Sequence, residues 1–482
     1  MTSKADIDQR EKKMRMEADL KVINPTLLCL ANLTQSASFT INSVFPSING
    51  VKCTVLKSDD EFIFETDNLN ICKGFLDLKV IQYGFSHEFQ LKNDAFEFKI
   101  PQFSATITSQ KIFQDYATSG RIPEFKNNFI ENETFNRIVF TREFNPYHNY
   151  SEYLKTIKFK TENEDLYLKG LSKLNVNGLG IDIFEFENNK IQYLFIDCRT
   201  PIRFDFFEEY ANAIAYSFGF LSGYLQRDEF FCFQSGKSDY SNIAGCCYKK
   251  LEPTIDSGMM LISPRDVKSI NPQYGEAAKM KISIFSNLVT QAVKEKRMLR
   301  ALRIISESNA YPLEIRASAY SVALETVRNI IAEENIERMS PFKNKDLARE
   351  LKKQFTATVA DCSNDDFNNK QVVLKRINDL DQITNKDSLM LAFSLYGFNL
   401  TKEDINCIEK RNDFLHGRLP FENETNSESE IKYFTHKLHF LVSSLILKYC
   451  GYYGWVLNSH KYLELFDPKY EKHVEESTFR TI

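Results

Sequence analysis

The chain lacks a strong charge of one sign, a Cys-x-x-Cys pair and a long apolar run, and it holds one tryptophan among 482 residues. The net charge of −4 divides as −5 over residues 1–270 and +1 over 271–482. Neither half can neutralise a polyphosphate along its length, so any contact with nucleic acid has to be local. The ten cysteines are scattered, and the two that are neighbours, Cys246 and Cys247, are adjacent in the chain. That spacing suits neither a zinc site nor an ordinary disulfide, and the set reads as thiols of a reducing compartment. Residues 1–20 are charged throughout and show no apolar stretch of the secretory kind. The longest apolar stretch, 440–457, is interrupted by Lys448 and two glycines, which predicts a core helix and its exit rather than a membrane span. These absences predict a cytoplasmic protein with no membrane partner.

What is abundant is phenylalanine, 40 residues, of which 28 fall in 1–250 and the other 12 in 251–482. At 56.1 kDa the chain is too long for one hydrophobic core, and the skew predicts two parts of different construction. In the first part a period of two runs through 61–67, 95–100, 156–161 and 180–187, with turn signals at Asn49-Gly50, Asn177-Gly178 and Asn188-Asn189. Short strands joined by turns predict an antiparallel sandwich or barrel, whose half-buried surfaces suit aromatics. Residues 205–229 change period: Phe207, Tyr210, Ala211, Ile214, Phe218 and Leu221 recur at helical spacing behind Asp205 as N-cap.

From about 275 the pattern is helical. Residues 275–308 read as one helix, 313–339 as a second opened by Pro312, and shorter helices follow near 343–356, 369–383 and 386–396. Thr401 and Asp404 make a capping box, and that helix stops at Gly417 before Pro420. A polar loop, 421–430, precedes a final apolar helix over 431–450. The predicted fold is α+β and multidomain. A charged segment, 1–20, leads into a β-rich regulatory domain with one packed helix, 21–270. A connecting helix, 271–310, leads into an all-α bundle, 311–482.

The chemistry points to the end of the capped helix. Asn412 and His416 stand at i and i+4, on one stripe. Arg411 is on the next stripe, with reach enough to swing towards them, and the terminal carbonyl dipoles favour a protonated imidazole at His416. A cation, an amide and a titratable ring would then converge at one exposed helix end. Cleavage of RNA by its own 2′-hydroxyl needs a proton acceptor, a proton donor and positive charge on the phosphorane. One chain supplies one such histidine, so the chemistry suggests a two-fold dimer with a composite site. The bland alternative is a surface arginine and a C-capping histidine.

The Arg411–Asn412–His416 spacing, on a capped helix near the end of an all-α region, resembles the signature of HEPN domains over roughly residues 310–455. The order of a β-rich region before the bundle, and the segment 210–230, are similar to the ApeA-like anti-phage proteins. The resemblance implies a metal-independent endoribonuclease without cofactor, acting as a homodimer on RNA, with tRNA a candidate, in abortive infection. It implies His416 as general acid or base, Arg411 on the scissile phosphate and Asn412 as the orienting group. Lys410 and Arg418 flank the motif as RNA-backbone contacts, with plain solubility as their alternative. The β-rich domain would receive a phage-derived trigger. Two other expectations stand beside this one: a non-catalytic dimerisation scaffold whose β domain binds a ligand or protein, and a toxin neutralised by a separate antitoxin.

Other patterns carry less. Residues 231–238 lack the first glycine of a phosphate-binding loop, and Ser222 reads as helix packing. His436 and His439 lack a third ligand at metal spacing and read as core or surface residues. The basic run Lys294, Lys296, Arg297, Arg300 and Arg303 reads as a solvated face, with an RNA path as its alternative. Glu325 is a polar partner for the site or an exposed ion-pairing residue.

Overall fold

A computed structural model describes residues 25–42, 49–58, 61–66, 89–94, 97–100, 104–106, 118–143, 149–155, 159–160, 165–166, 171–188, 191–270, 279–418, 427–465 and 476–482. The 1–20 segment, Pro420 and most of the 421–430 loop lie outside the described residues. The chain divides into two compact units. One comprises residues 1–258 and 263–293, the other 259–262 and 294–482. The fold is α+β: an antiparallel β-rich N-terminal part and a helical C-terminal part.

The β-rich unit is built on a fourteen-stranded antiparallel sheet. Its order begins Ser172–Val176, Leu179–Asn188, Ile191–Cys198, Phe135–Glu143, Glu229–Ser235, Ile243–Lys250 and Glu124–Asn127. It continues Glu97–Ile100, Phe89–Lys92, Ala37–Asn42, Lys52–Ser58, Glu61–Thr66, Thr118–Ile122 and Ser104–Thr106. Phe62 and Phe125 sit on strands five places apart in that order, yet their ring centroids are 5.1 Å apart. At about 4.8 Å per strand a flat sheet would separate them by about 24 Å. The sheet therefore curls around its own core, which is the barrel-like half of the expectation. Phe39, Ile41, Val55, Phe231, Phe233 and Tyr248 fill that core, and the helix over 25–34 (α1) adds Leu30 and Leu33. Many of the surplus phenylalanines lie here as packed aromatics.

Helix α2 (Phe204–Ser222) buries Phe207, Ala211, Ile214, Phe218 and Leu221, while Tyr210 stays half-buried. Its N-cap is Arg203, two residues earlier than expected, and Asp205 in the first turn binds the Arg203 guanidinium. Ser222 donates to the Phe218 carbonyl at 2.8 Å, a packing role. Helix α3 (Ile282–Lys294) completes the unit and gives its Ser286 hydroxyl to Asn175 N–H as acceptor.

The single helix expected over 275–308 is instead two, α3 and α4 (Lys296–Ser308). Glu295 breaks it: its extended backbone makes it an N-cap, and its carboxylate accepts the Arg297 N–H at 3.0 Å. The helical unit continues with α5 (Leu313–Glu334), α6 (Lys345–Asp361), α7 (Lys370–Asn378), α8 (Asn385–Leu395), α9 (Lys402–Leu415) and α10 (Ser427–Tyr449). Helix α5 packs against α4, α9 and α10 and buries Ala317, Tyr320, Leu324, Val327 and Ile331. The unit is not all helix. Trp455–Leu457 pairs antiparallel with Phe479–Thr481, and Leu457 N–H donates to the Leu261 carbonyl at 2.8 Å. Residues 259–262, Leu261 among them, belong to the helical unit.

Candidate functional site

Helix α9 carries the motif and is fixed at both ends. At its start the capping box is complete: Asp404 N–H donates to the Thr401 hydroxyl at 3.2 Å, and Thr401 N–H donates to Asp404 at 2.8 Å. Asp404 is wholly buried and also binds Lys437 at 2.8 Å and Arg480 at 2.6 Å. Burial pushes its carboxyl up, but Lys437 and Arg480 outweigh burial and hold it below the ordinary value. Lys437 and Glu476 pair as well, and Asn458 donates to Glu476 at 2.8 Å. A helix N-terminus is a favourable place for a carboxylate, and here the two cations make the burial tolerable.

At the far end Gly417 adopts φ 68°, and its N–H donates to the Phe414 carbonyl at 3.2 Å. Arg418 N–H donates to the Asp413 carbonyl at 2.8 Å. These two bonds make a Schellman stop. Ser318 of α5 donates to the Phe414 carbonyl at 2.9 Å, tying the last turn to the bundle. His416 is the C-cap and is exposed, as are Asn412 and Arg418. The sequence-predicted stripe of Asn412 and His416 therefore faces solvent.

Arg411 is placed differently. With Asp404, Cys407, Ile408 and Phe414 it forms the buried stripe of α9, and it is 1% exposed. Its Nη1 donates to the Ile408 carbonyl at 2.6 Å, and Nη2 reaches Glu325 of α5 at 3.5 Å. Its Nε has no partner among the described residues. Burial pulls the guanidinium below its ordinary value, and Glu325 opposes that pull. The exposed convergence of three groups is thus met by two of them, with the arginine one stripe inside. The interval 404, 407, 408, 411, 414 was the available signal, since it marks one helix face on which the arginine lies.

Around this buried cation α5, α8 and α9 are laced together. Arg328 Nη2 donates to Asn385 at 3.3 Å, and Lys386 pairs with Glu409. Lys410 lies over the Phe434 ring at 5.0 Å, turned to α10. A groove of about 490 Å³ opens further along α5, lined among others by Asn329, Phe342, Lys345, Arg349 and Gln382. Asn329 is one turn, about 6 Å, beyond Glu325 on the same stripe. No feature of the sequence reading pointed to this groove.

The remaining patterns resolve simply. His436 and His439 are buried, and burial pushes both imidazoles down to about 3. The His439 ring packs on Tyr320 with centroids 5.1 Å apart. No cluster of three metal-ligating side chains occurs among the described residues. Arg297 binds Glu295 and Glu333, and Arg303 binds Glu307, so part of the basic run is spent on ion pairs. No helix among the described residues is long and apolar enough to cross a membrane.

Comparison of the chain with family models, curated proteins and solved structures finds no match to any of them.

Proposed function

We propose that the helical unit is a metal-independent endoribonuclease working in the cytoplasm, assembled as a homodimer about the end of α9. The observation that carries this reading is the incompletely satisfied guanidinium of Arg411, one stripe from the exposed Asn412 and His416. Burying a cation with a spare N–H and a 3.5 Å carboxylate contact is costly as pure architecture. Sites that bind phosphate tolerate such a cost, because the incoming anion completes the hydrogen bonding.

In this mechanism the RNA phosphate takes the place of the long Glu325 contact on Arg411. His416 removes the proton of the 2′-hydroxyl, whose oxygen attacks its own phosphorus. The 5′-oxygen leaves and takes a proton from His416 of the second copy, so that the products are a cyclic phosphate and a free 5′-hydroxyl. Asn412 orients the reacting groups, and Arg418 meets the RNA backbone beside it. Lys410, turned onto Phe434, has a smaller share. The β-rich unit restrains the activity until a trigger, of phage origin in the defence reading, reaches it, and tRNA is the first substrate to try.

A second reading is favoured by the burial of Arg411. In it the arginine ties α5 to α9, and the bundle is a non-catalytic dimerisation scaffold. Incubation of the purified chain with total RNA and tRNA, with and without EDTA, separates the two. The nuclease reading expects cleavage that EDTA leaves intact and that His416→Ala lowers by at least about 100-fold. Cleavage unchanged in His416→Ala, or none with any trigger, would overturn it in favour of the scaffold.

A further inference from the structure

One face of α5 joins the Arg411 site to the groove beyond it. Glu325, Arg328, Asn329, Ala332 and Glu333 recur at helical spacing and form a single stripe about 12 Å long. Glu325 meets Arg411 at 3.5 Å, and Arg328 Nη2 donates to Asn385 of α8 at 3.3 Å. Lys386, the next residue of α8, pairs with Glu409 of α9, so both arginines stand where the three helices meet. Arg328 has a buried Nε without a partner among the described residues, as Arg411 has. Burial, most of all, pulls the Arg411 guanidinium below its ordinary value; Glu325 opposes that pull and the charge of Arg328 adds to it. Two incompletely bonded cations beside one carboxylate have room for a further anion.

The same face then opens into the groove of about 490 Å³, a size that suits a small organic group. Ala332, Met339, Phe342 and Ala348 give it an apolar lining. Four charged residues line it as well, and both acids are spent on cations outside it. Glu333 binds Arg297 at 2.7 Å, and Asp381 binds Lys352 at 2.5 Å. The two cations are left over. Lys345 has no ion pair among the described residues, and Arg349 has Asp346 at 3.1 Å in a pair that is 79% and 87% exposed. Such an exposed pair is worth little. An apolar lining with a positive rim, continuous with an anion site, fits a flat base and its phosphates. An acidic peptide would match the charge and leave the apolar lining unused.

Resting on the nuclease reading for what happens at Arg411, we propose that this face of α5 and its groove are a subsite for the nucleotide next to the cut, and that the substrate is single-stranded RNA. Arg328 takes the phosphate beside the scissile one. The base of that nucleotide lies against Phe342 and Met339, and Lys345 and Arg349 meet the phosphate that follows. The side-chain amides of Asn329 and Gln382 line the groove without partners among the described residues and offer donors and acceptors to the base edge. A base can enter such a groove only when it is unpaired and turned out of its stack, which excludes a duplex.

The test reads binding separately from cleavage. The full chain is titrated with a fluorescein-labelled 2′-O-methyl RNA strand of about 12 nucleotides, which lacks the attacking hydroxyl, and anisotropy is followed. The strand should bind at least about 10-fold more tightly than the same strand annealed to its complement. Arg328→Met, Phe342→Ala and the surface double variant Lys345→Glu/Arg349→Glu should each weaken binding by about 10-fold or more. The proposal is overturned if the wild-type chain does not bind the strand, or if any of the three variants binds as the wild type does. It is equally overturned if the duplex or polyglutamate displaces the strand as well as unlabelled single strand does. Cleavage that depends on His416 while the groove variants bind and cut normally would sink the subsite alone. Groove-dependent binding with cleavage unchanged in His416→Ala would sink the nuclease reading alone.

Discussion

Among the described residues each unit buries one arginine almost completely, and the two are provided for very differently. In the β-rich unit Arg137 meets Asp197 with Nε at 2.8 Å and Nη2 at 2.7 Å. Its Nη1 donates to Thr26 at 2.9 Å, and its guanidinium lies 4.1 Å from the Tyr240 ring centroid. Every nitrogen has a partner and the flat face is covered. In the helical unit Arg411 has one carbonyl, one long carboxylate contact and an orphan Nε. Arg137 is a finished tie, whose two-point fit to a carboxylate is the strongest geometry available to arginine. Arg411 is a cation with capacity left over. The two arginines are alike in burial and differ in how completely their hydrogen bonding is met.

The comparison can be broken experimentally. The largest effect is expected for Arg137→Ala, which strands Asp197 without its cation and should cost about 3–5 kcal/mol in urea unfolding. A loss under about 1 kcal/mol would show that the tie is dispensable. Next comes acid stability of the helical unit, for which Trp455, the single tryptophan of the chain, is a local fluorescence probe. His436 and His439 sit near 3 when folded and near 6.5 when unfolded. Between those values the unfolded state binds more protons, so stability falls as pH drops from about 6.5 towards 3, by about 1.4 kcal/mol per pH unit for each histidine. His439→Phe should remove one share of that slope. An unchanged slope would place the acid sensitivity elsewhere.

Arg411→Met sharpens the contrast most directly. Replacing an incompletely paired buried ion by an apolar chain is often neutral, so stability should stay within about 1 kcal/mol while RNA cleavage falls at least about 100-fold. A loss as large as that of Arg137→Ala, read by Trp455 fluorescence, would make Arg411 a structural tie after all. Smallest is Arg303→Ala. It removes an exposed pair with Glu307 and should shift stability by under about 0.5 kcal/mol, with RNA affinity unchanged. A clear loss of RNA binding would restore the basic run as an RNA path.

What the sequence disclosed follows from how local each signal is. The Thr401–Asp404 box, the Gly417 stop and the buried stripe of α2 are short-range patterns, and the structure has them. The break at Glu295 was hidden because lysines on both sides continue a polar helical face, and only the extended backbone at Glu295 ends it. The pairing of Trp455–Leu457 with Phe479–Thr481 joins two three-residue strands, too short to show a period. The burial of Arg411 was legible in the spacing of its stripe. Yet arginine is rarely buried, and that expectation placed it at the surface. Its partner Glu325 lies 86 residues earlier and was visible only as a polar residue on a periodic helix.

Residues 259–262 carry a consequence for how such a chain can change. The polypeptide passes between the two units at 258/259, at 262/263 and at 293/294. Leu261 lends its carbonyl to Leu457 and is fully buried. A recombination event with one breakpoint cannot move the helical unit whole. A breakpoint near 294 leaves behind Leu261, which Leu457 binds, and one near 258 carries α3 away from its sheet. Neither unit can therefore be cut out whole at one point of the chain, and exchanging either intact takes breakpoints at all three crossings.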